Sequence, residues 1–134
     1  MTPAQIKRVK ESYLELLPVH DEVAEAFYLG LFTAAPDTRR LFPKDMESQK
    51  DKFFQTMSLM VQFLNDQTIL ENVFGELGRN HKGYGVRVEH YDAVEDCLLT
   101  ALAQKLGSSF TTEVREAWLQ TYRVIVKTMK DAAA

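Results

Sequence analysis

Apolar residues recur at intervals of three and four along almost the whole chain, and no stretch alternates apolar and polar residues over the length of a strand. Intervals of three and four place side chains on one face of an α-helix, whereas a half-buried strand requires alternation. The sequence therefore predicts an all-α fold. With 134 residues, 46% of them hydrophobic, the chain has the size and composition of one globular domain, which we place at residues 1–134.

The helix boundaries are marked by capping residues, prolines and glycines. Thr2 can cap the first helix, Pro3 fits its first helical position, and Gln5 can reach back to the cap. A second helix is expected to begin near Asp21 and to stop before Pro36, which opens a short helical turn. The later expected boundaries, in chain order, are about Met46 to Leu64, near Asp66 to the turn Gly83-Tyr84-Gly85, and two longer helices separated at Gly107.

Two of these helices carry polar side chains in line with an apolar stripe. In the third helix Gln49 shares a face with Phe53, Met57, Met60 and Leu64. In the fourth, the last member of the stripe is a histidine; its members are Leu70, Val73, Leu77 and His81. In the second helix, Tyr28 stands beside the core position Phe27.

Charge and cysteine content exclude several classes of partner. The formal net charge is −3, with acids and bases interspersed, so we expect neither nucleic acid nor an anionic membrane as a partner. No apolar run approaches a membrane span or a secretory signal. The single cysteine, Cys97, reads as a small buried side chain and suits a reducing compartment. We therefore expect a cytoplasmic protein.

Few residues carry a recognisable chemistry. His20, His81 and His90 lack the spacing of a zinc site, and the lone cysteine supplies no thiolate pair. The turn at residues 83–85 has too few glycines for a phosphate loop, and no serine stands in a nucleophile elbow. What remains is His81, Tyr28 and Gln49. Taken singly, these read as a hydrogen-bonded core histidine, a core-edge tyrosine and an exposed first-turn glutamine.

Together, however, a set of positions spread over the chain matches one known pattern. The matching positions are Tyr28, Pro36, Phe42, residues 77–86, Glu89, His90, Tyr91, Ala117, Trp118 and Tyr122. By these residues the chain resembles the globin family, and residues 77–86 resemble the proximal-histidine segment of bacterial single-domain haemoglobins, flavohaemoglobins and the neuroglobin-like group.

The resemblance implies a three-over-three helical sandwich around haem b, with His81 as the iron ligand. The second ring nitrogen of His81 would bond either a backbone carbonyl near Leu77 or the hydroxyl of Tyr91. The implied apolar walls of the haem pocket are Phe42, Phe53, Val86, Val94 and Leu98. Lys52, Arg79 and Arg87 are candidates to pair with the haem propionates.

On the opposite face of the haem, the resemblance places Tyr28 and Gln49, with Phe53 narrowing the space for a ligand. A phenol that donates a hydrogen bond to a gas inside an apolar pocket stabilises it more than the same bond does in water. We therefore expect tight oxygen binding with slow release. Flavohaemoglobins also place a glutamate late in the last helix, but the corresponding residue here is Ala133, and Asp131 is out of register.

Two functions follow from the resemblance. The first is reversible binding of dioxygen, with affinity for carbon monoxide and nitric oxide, on ferrous haem. The second is enzymatic, as a nitric oxide dioxygenase in which Tyr28 and Gln49 hold the oxygen that converts nitric oxide to nitrate. Flavohaemoglobins continue into a reductase, whereas this sequence ends at Ala134, so we expect an external electron donor or reductase. A sensor is a third interpretation, which the lack of an output domain in this sequence disfavours.

Overall fold

The computed structural model describes residues 1–83 and 85–134, and over these residues it confirms the all-α prediction. Tyr84, in the predicted glycine turn, lies outside them. The α-helices of the described part are α1 (Pro3–Leu16), α2 (His20–Ala34), α3 (Glu47–Gln62), α4 (Gln67–Gly83), α5 (Val88–Leu106) and α6 (Thr112–Ala133). Short 3-10 helices occupy Leu17–Val19, Pro36–Leu41 and Gly107–Ser109. None of the described helices is long and apolar enough to cross a bilayer.

The predicted helix start at the N-terminus is confirmed as a reciprocal cap. The Thr2 hydroxyl accepts from the Gln5 backbone N–H at 3.1 Å, and the Gln5 side chain accepts from the Thr2 N–H at 3.0 Å. At the start of α4 the Asp66 carboxylate accepts from the Ile69 N–H at 3.1 Å. These side chains satisfy backbone donors that have no partner within the helix, which is why the helices begin where they do.

The helices pack around two hydrophobic clusters of different size. α2 packs on α5, and α6 packs on both α1 and α4. The larger hydrophobic cluster draws on α1, α2, α3, α5 and α6. The smaller cluster, between α3, α4 and α6, consists of Met60, Leu70, Phe74, Ile125 and Met129.

A buried hydrogen bond joins the first and last helices. The Trp118 side chain is fully buried, and its Nε1–H donates to the Ser12 hydroxyl at 2.9 Å. Ser12 in turn donates to the Arg8 carbonyl at 2.7 Å. Because both buried polar groups have partners, the large indole adds its burial to the core without the cost of an unpaired donor.

The predicted stripe of α4 contributes to the contact with α6, since Leu70 is buried in the smaller cluster and Val73 and Leu77 pack against it. Val73, Leu77 and His81 are only half-buried, whereas Gly78 is buried against the backbone of Met129. A Cβ atom at Gly78 would lie 2.6 Å from the Met129 Cα, closer than real side chains come. The close approach of α4 to α6 therefore depends on glycine, which carries no apolar signal in a sequence. The contact between α4 and α6 thus combines the predicted stripe with this glycine.

Candidate functional site

Tyr28 on α2 and Gln49 in the first turn of α3 form a hydrogen-bonded pair. The Gln49 amide Nε2 donates to the Tyr28 hydroxyl oxygen at 3.1 Å, and the tyrosine is only 5% exposed. Burial raises the pKa of Tyr28, against a smaller opposing effect of the Gln49 hydrogen bond, so the phenol stays protonated at neutral pH. Since Gln49 donates, the O–H proton of Tyr28 can serve a further acceptor.

Aromatic rings surround this pair. Tyr28 meets Phe42 and Phe53 edge-on, with ring centroids 5.4 and 5.7 Å apart, and Phe53 stacks on Phe27 at 4.5 Å. Phe42 and Phe53 are half-buried. The structure thus brings four sequence-predicted residues together in one largely apolar cluster that contains a phenol donor. They are Tyr28, Gln49, Phe42 and Phe53.

The loop that carries Phe42 is held by an arginine. The Arg39 guanidinium donates to the carbonyls of Phe42, Pro43 and Lys44, at 3.3, 2.8 and 3.0 Å. It also lies over the Phe32 ring, 5.1 Å from the centroid. These contacts hold Phe42 against Tyr28.

His81 lies in the last turn of α4, half-buried, and its ring is oriented by its own helix. Nδ1 lies 2.8 Å from the Leu77 carbonyl, which can only accept, so Nδ1 carries the proton and Nε2 keeps its lone pair. Of the two partners expected for this nitrogen, the structure has the Leu77 carbonyl. Burial lowers the pKa of His81, and the hydrogen bond to Leu77 opposes this. A neutral imidazole with a free Nε2 is the form that ligates metals.

Tyr91 on α5 contacts α6 instead. Its carbonyl accepts from the Tyr122 hydroxyl at 2.6 Å, and the Lys130 ammonium lies 5.3 Å from the centre of its ring. Burial raises the pKa of Tyr91. The residue aligned with the expected glutamate, Ala133, accepts at its carbonyl from the Lys82 ammonium at 2.8 Å. The charged group that contacts the Tyr91 ring is thus the ammonium of Lys130, and not the carboxylate that flavohaemoglobins have near this tyrosine.

The remaining predicted wall residues are distributed over two segments. Val94 and Leu98 on α5 pack with the larger cluster, Leu98 fully and Val94 half-buried. Val86 is half-buried, and its N–H donates to the His81 carbonyl at 3.1 Å. Lys52 is exposed on α3.

These residues fit a haem. His81 offers a neutral imidazole whose Nε2 is available, and half-buried apolar side chains offer surface for a flat macrocycle. Sequence reasoning missed one feature near them, a cluster of Asp37, Arg87 and His90. Its signal was present in the sequence, since His90 is the third residue of α5, where a side chain can reach back to the cap.

Comparisons with known proteins agree with the fold. The family model described as Globin matches residues 25–129. An uncharacterized globin-like protein of Aquifex aeolicus is 31% identical over 123 residues, which cover 91% of this chain and 87% of the relative. Neuroglobin of Danio rerio is 35% identical over 78 residues, covering 58% of this chain and 49% of the relative.

A flavohemoprotein of Xylella fastidiosa is 29% identical over 99% of this chain, which spans only 34% of the length of that relative. A bacterial globin from Campylobacter jejuni superposes with a TM-score of 0.87, at 21% identity, over 98% of this chain and 96% of that one. The helical fold and these matches place the chain in the class of globin-fold proteins. The chain belongs to the globin family. As a member of that family it is a haem globin that binds gases.

Proposed function

We propose that this globin binds dioxygen reversibly, with carbon monoxide and nitric oxide as further ligands, on a b-type haem ligated by His81. When bound, the haem iron supplies the coordination site for a diatomic gas. The observation that carries the proposal is the orientation of His81, whose Nδ1 is bonded to the Leu77 carbonyl while Nε2 is left as a ligand. The proposed functional unit is residues 1–134 as one domain.

The proposed role of Tyr28 is to donate its O–H to the gas. Its phenol is buried, protonated and already accepting from Gln49, which leaves its own proton for another acceptor. A hydroxyl that accepts a hydrogen bond also becomes a stronger donor. Phe42 and Phe53, which pack edge-on to the ring, exclude water from this donor and strengthen its interaction. Slow oxygen release is the expected result.

A second candidate function is nitric oxide dioxygenation, which the similarity to a flavohemoprotein over 99% of the chain favours. In this reaction nitric oxide and dioxygen, with one electron, combine to nitrate. The electron would come from an external reductase. Tyr28 and Gln49 would hold the oxygen in place for this reaction as they would for reversible binding.

Absorption spectroscopy of the purified, haem-loaded protein tests the first proposal. We expect the ferrous form to bind carbon monoxide and dioxygen, each with a distinct spectrum and each reversibly. A ferrous form whose spectrum does not change under either gas contradicts gas binding. Consumption of nitric oxide in the presence of dioxygen and an added reductase tests the second, and turnover no faster than spontaneous autoxidation contradicts it.

A further inference from the structure

A buried histidine joins two segments that are distant in sequence. His90, 5% exposed, lies in the first turn of α5. Its Nδ1 lies 2.9 Å from the backbone nitrogen of Arg87, and its Nε2 lies 3.1 Å from a carboxylate oxygen of Asp37. Asp37 belongs to the 3-10 helix Pro36–Leu41, so the ring of His90 bridges this helix and the segment that enters α5.

The partners fix the proton on the ring. A backbone N–H can only donate, so Nδ1 of His90 accepts, and Nε2–H donates to Asp37. The Arg87 guanidinium adds a bond to the same Asp37 oxygen at 3.0 Å and pairs with Glu89 at 3.0 Å. The hydrogen bond from His90 is the main reason that the pKa of Asp37 lies below its usual range. The Nε2–H of His90 therefore faces the Asp37 carboxylate, and both nitrogens of the ring have partners.

The two bridged segments carry residues proposed for the haem walls. Phe42 directly follows the 3-10 helix that contains Asp37. Val86 directly precedes Arg87, and its N–H bonds the carbonyl of His81. The bridge therefore restrains the separation between the Phe42 loop and the turn that leads out of α4.

We propose that His90 is a positioning residue that, through Asp37, holds the Phe42 segment and the Val86 segment together and so slows the release of haem. This rests on the proposed function, in which these segments line the haem pocket.

Haem transfer to an excess of haem-free myoglobin tests the role. The ferric, haem-loaded protein is mixed with the acceptor, and the rate of transfer is followed by absorption. We expect His90→Ala to release haem about tenfold faster or more, because it removes a buried hydrogen bond to a charged acceptor. His90→Gln keeps one acceptor and one donor at the end of a side chain that suits the third helical position, so it is expected to stay within about threefold of the wild type.

Asp37→Ala removes the other half of the bridge at a half-exposed position and is expected to accelerate release as His90→Ala does. Arg123→Ala is the matched control. It removes an ion pair between α6 and α5, with Glu95 at 3.1 Å, that contacts neither bridged segment, and it should leave the release rate unchanged.

A second measurement does not depend on haem. In the haem-free protein, amide hydrogen exchange in residues 36–42 and 85–90 should be faster in His90→Ala than in the wild type, and His90→Gln should restore slow exchange. Wild-type release rates in both His90→Ala and Asp37→Ala overturn the proposal, as does equal acceleration in Arg123→Ala. A wild-type protein that takes up no haem contradicts the proposed function instead, and the exchange measurement still tests the bridge.

Discussion

Tyr28 and His81 are held in place by different kinds of contact. Tyr28 is fixed by side chains from other elements, namely the amide of Gln49 and the rings of Phe42 and Phe53. His81 is fixed by backbone, since its ring bonds the Leu77 carbonyl of its own helix. The helix that carries it is pressed against the backbone of α6 at Gly78.

The surroundings of the two residues, here called the Tyr28 side and the His81 side, therefore respond differently to substitution. On the Tyr28 side, substitutions alter the chemistry offered to a ligand and leave the helices in place. On the His81 side, the position of the ligand depends on how closely two helices approach, so a single methyl group is enough to disturb it.

His81→Ala is expected to abolish stable haem uptake, because it removes the proposed iron ligand. Haem content and the ferrous carbon monoxide spectrum measure the effect. His20→Ala is the control, since His20 is exposed, bonds the Leu17 carbonyl and the neighbouring Asp21, and packs on Phe54 away from α4. Normal haem content in His81→Ala would contradict the assignment of the ligand.

Tyr28→Phe keeps the ring and removes only the hydroxyl. A hydrogen bond to a charged acceptor contributes about 1.5 to 3 kcal/mol, so oxygen release should be on the order of 10- to 150-fold faster. Carbon monoxide release should change much less, because bound carbon monoxide carries less charge for a donor to stabilise. Flash photolysis and stopped-flow mixing measure both rates. Unchanged oxygen release would remove Tyr28 from the site.

Gly78→Ala is expected to lower the free energy of unfolding of the haem-free chain by about 1 to 3 kcal/mol, the usual cost of overpacking. Gly75→Ala, one turn earlier in α4, is the control. Its Cβ would lie 3.4 Å from the Ala132 Cβ, an ordinary contact. Denaturant unfolding compares the two variants, and equal stabilities would show that the close approach at Gly78 is not needed.

Gln49→Leu should have the smallest effect, because it removes the donor to Tyr28 and leaves the phenol itself. Cooperative strengthening is roughly 10–30% per bond, which on a hydrogen bond of about 1.5 to 3 kcal/mol corresponds to an oxygen release about 1.3- to 5-fold faster. Stopped-flow measurement beside Tyr28→Phe gives the ratio of the two effects. An effect of Gln49→Leu as large as that of Tyr28→Phe would mean that Gln49 itself contacts the gas.

The sequence predicted the all-α fold and the family, because helical periodicity and the fixed spacings around His81 can be recognised without knowing how the helices pack. It also predicted the cap at Thr2, which depends on neighbours within four residues. It did not distinguish Phe53 from Phe54. Phe53 of the predicted stripe packs half-buried against the larger cluster, and Phe54, which lay outside the stripe, is buried in that cluster, because adjacent positions differ in angle by about the width of an apolar face.

Contacts between distant residues could not be read from the sequence. Asp37 and His90 are 53 residues apart, and nothing local to either indicates the other. Gly78 was passed over because its role depends on the absence of a side chain facing Met129. The pairing of Tyr28 with Gln49 was expected only through the family resemblance, and their hydrogen bond is a property of how α2 and α3 meet.

The burial of Trp118 makes the chain its own optical probe. It is the only tryptophan of the sequence, and its indole lies fully inside the core with its N–H bonded to Ser12. Indole fluorescence shifts to longer wavelength on contact with water, and a haem in the same small chain quenches it by energy transfer. Emission colour therefore reports whether α1 and α6 are together, and emission intensity reports how many molecules carry haem, without any added label.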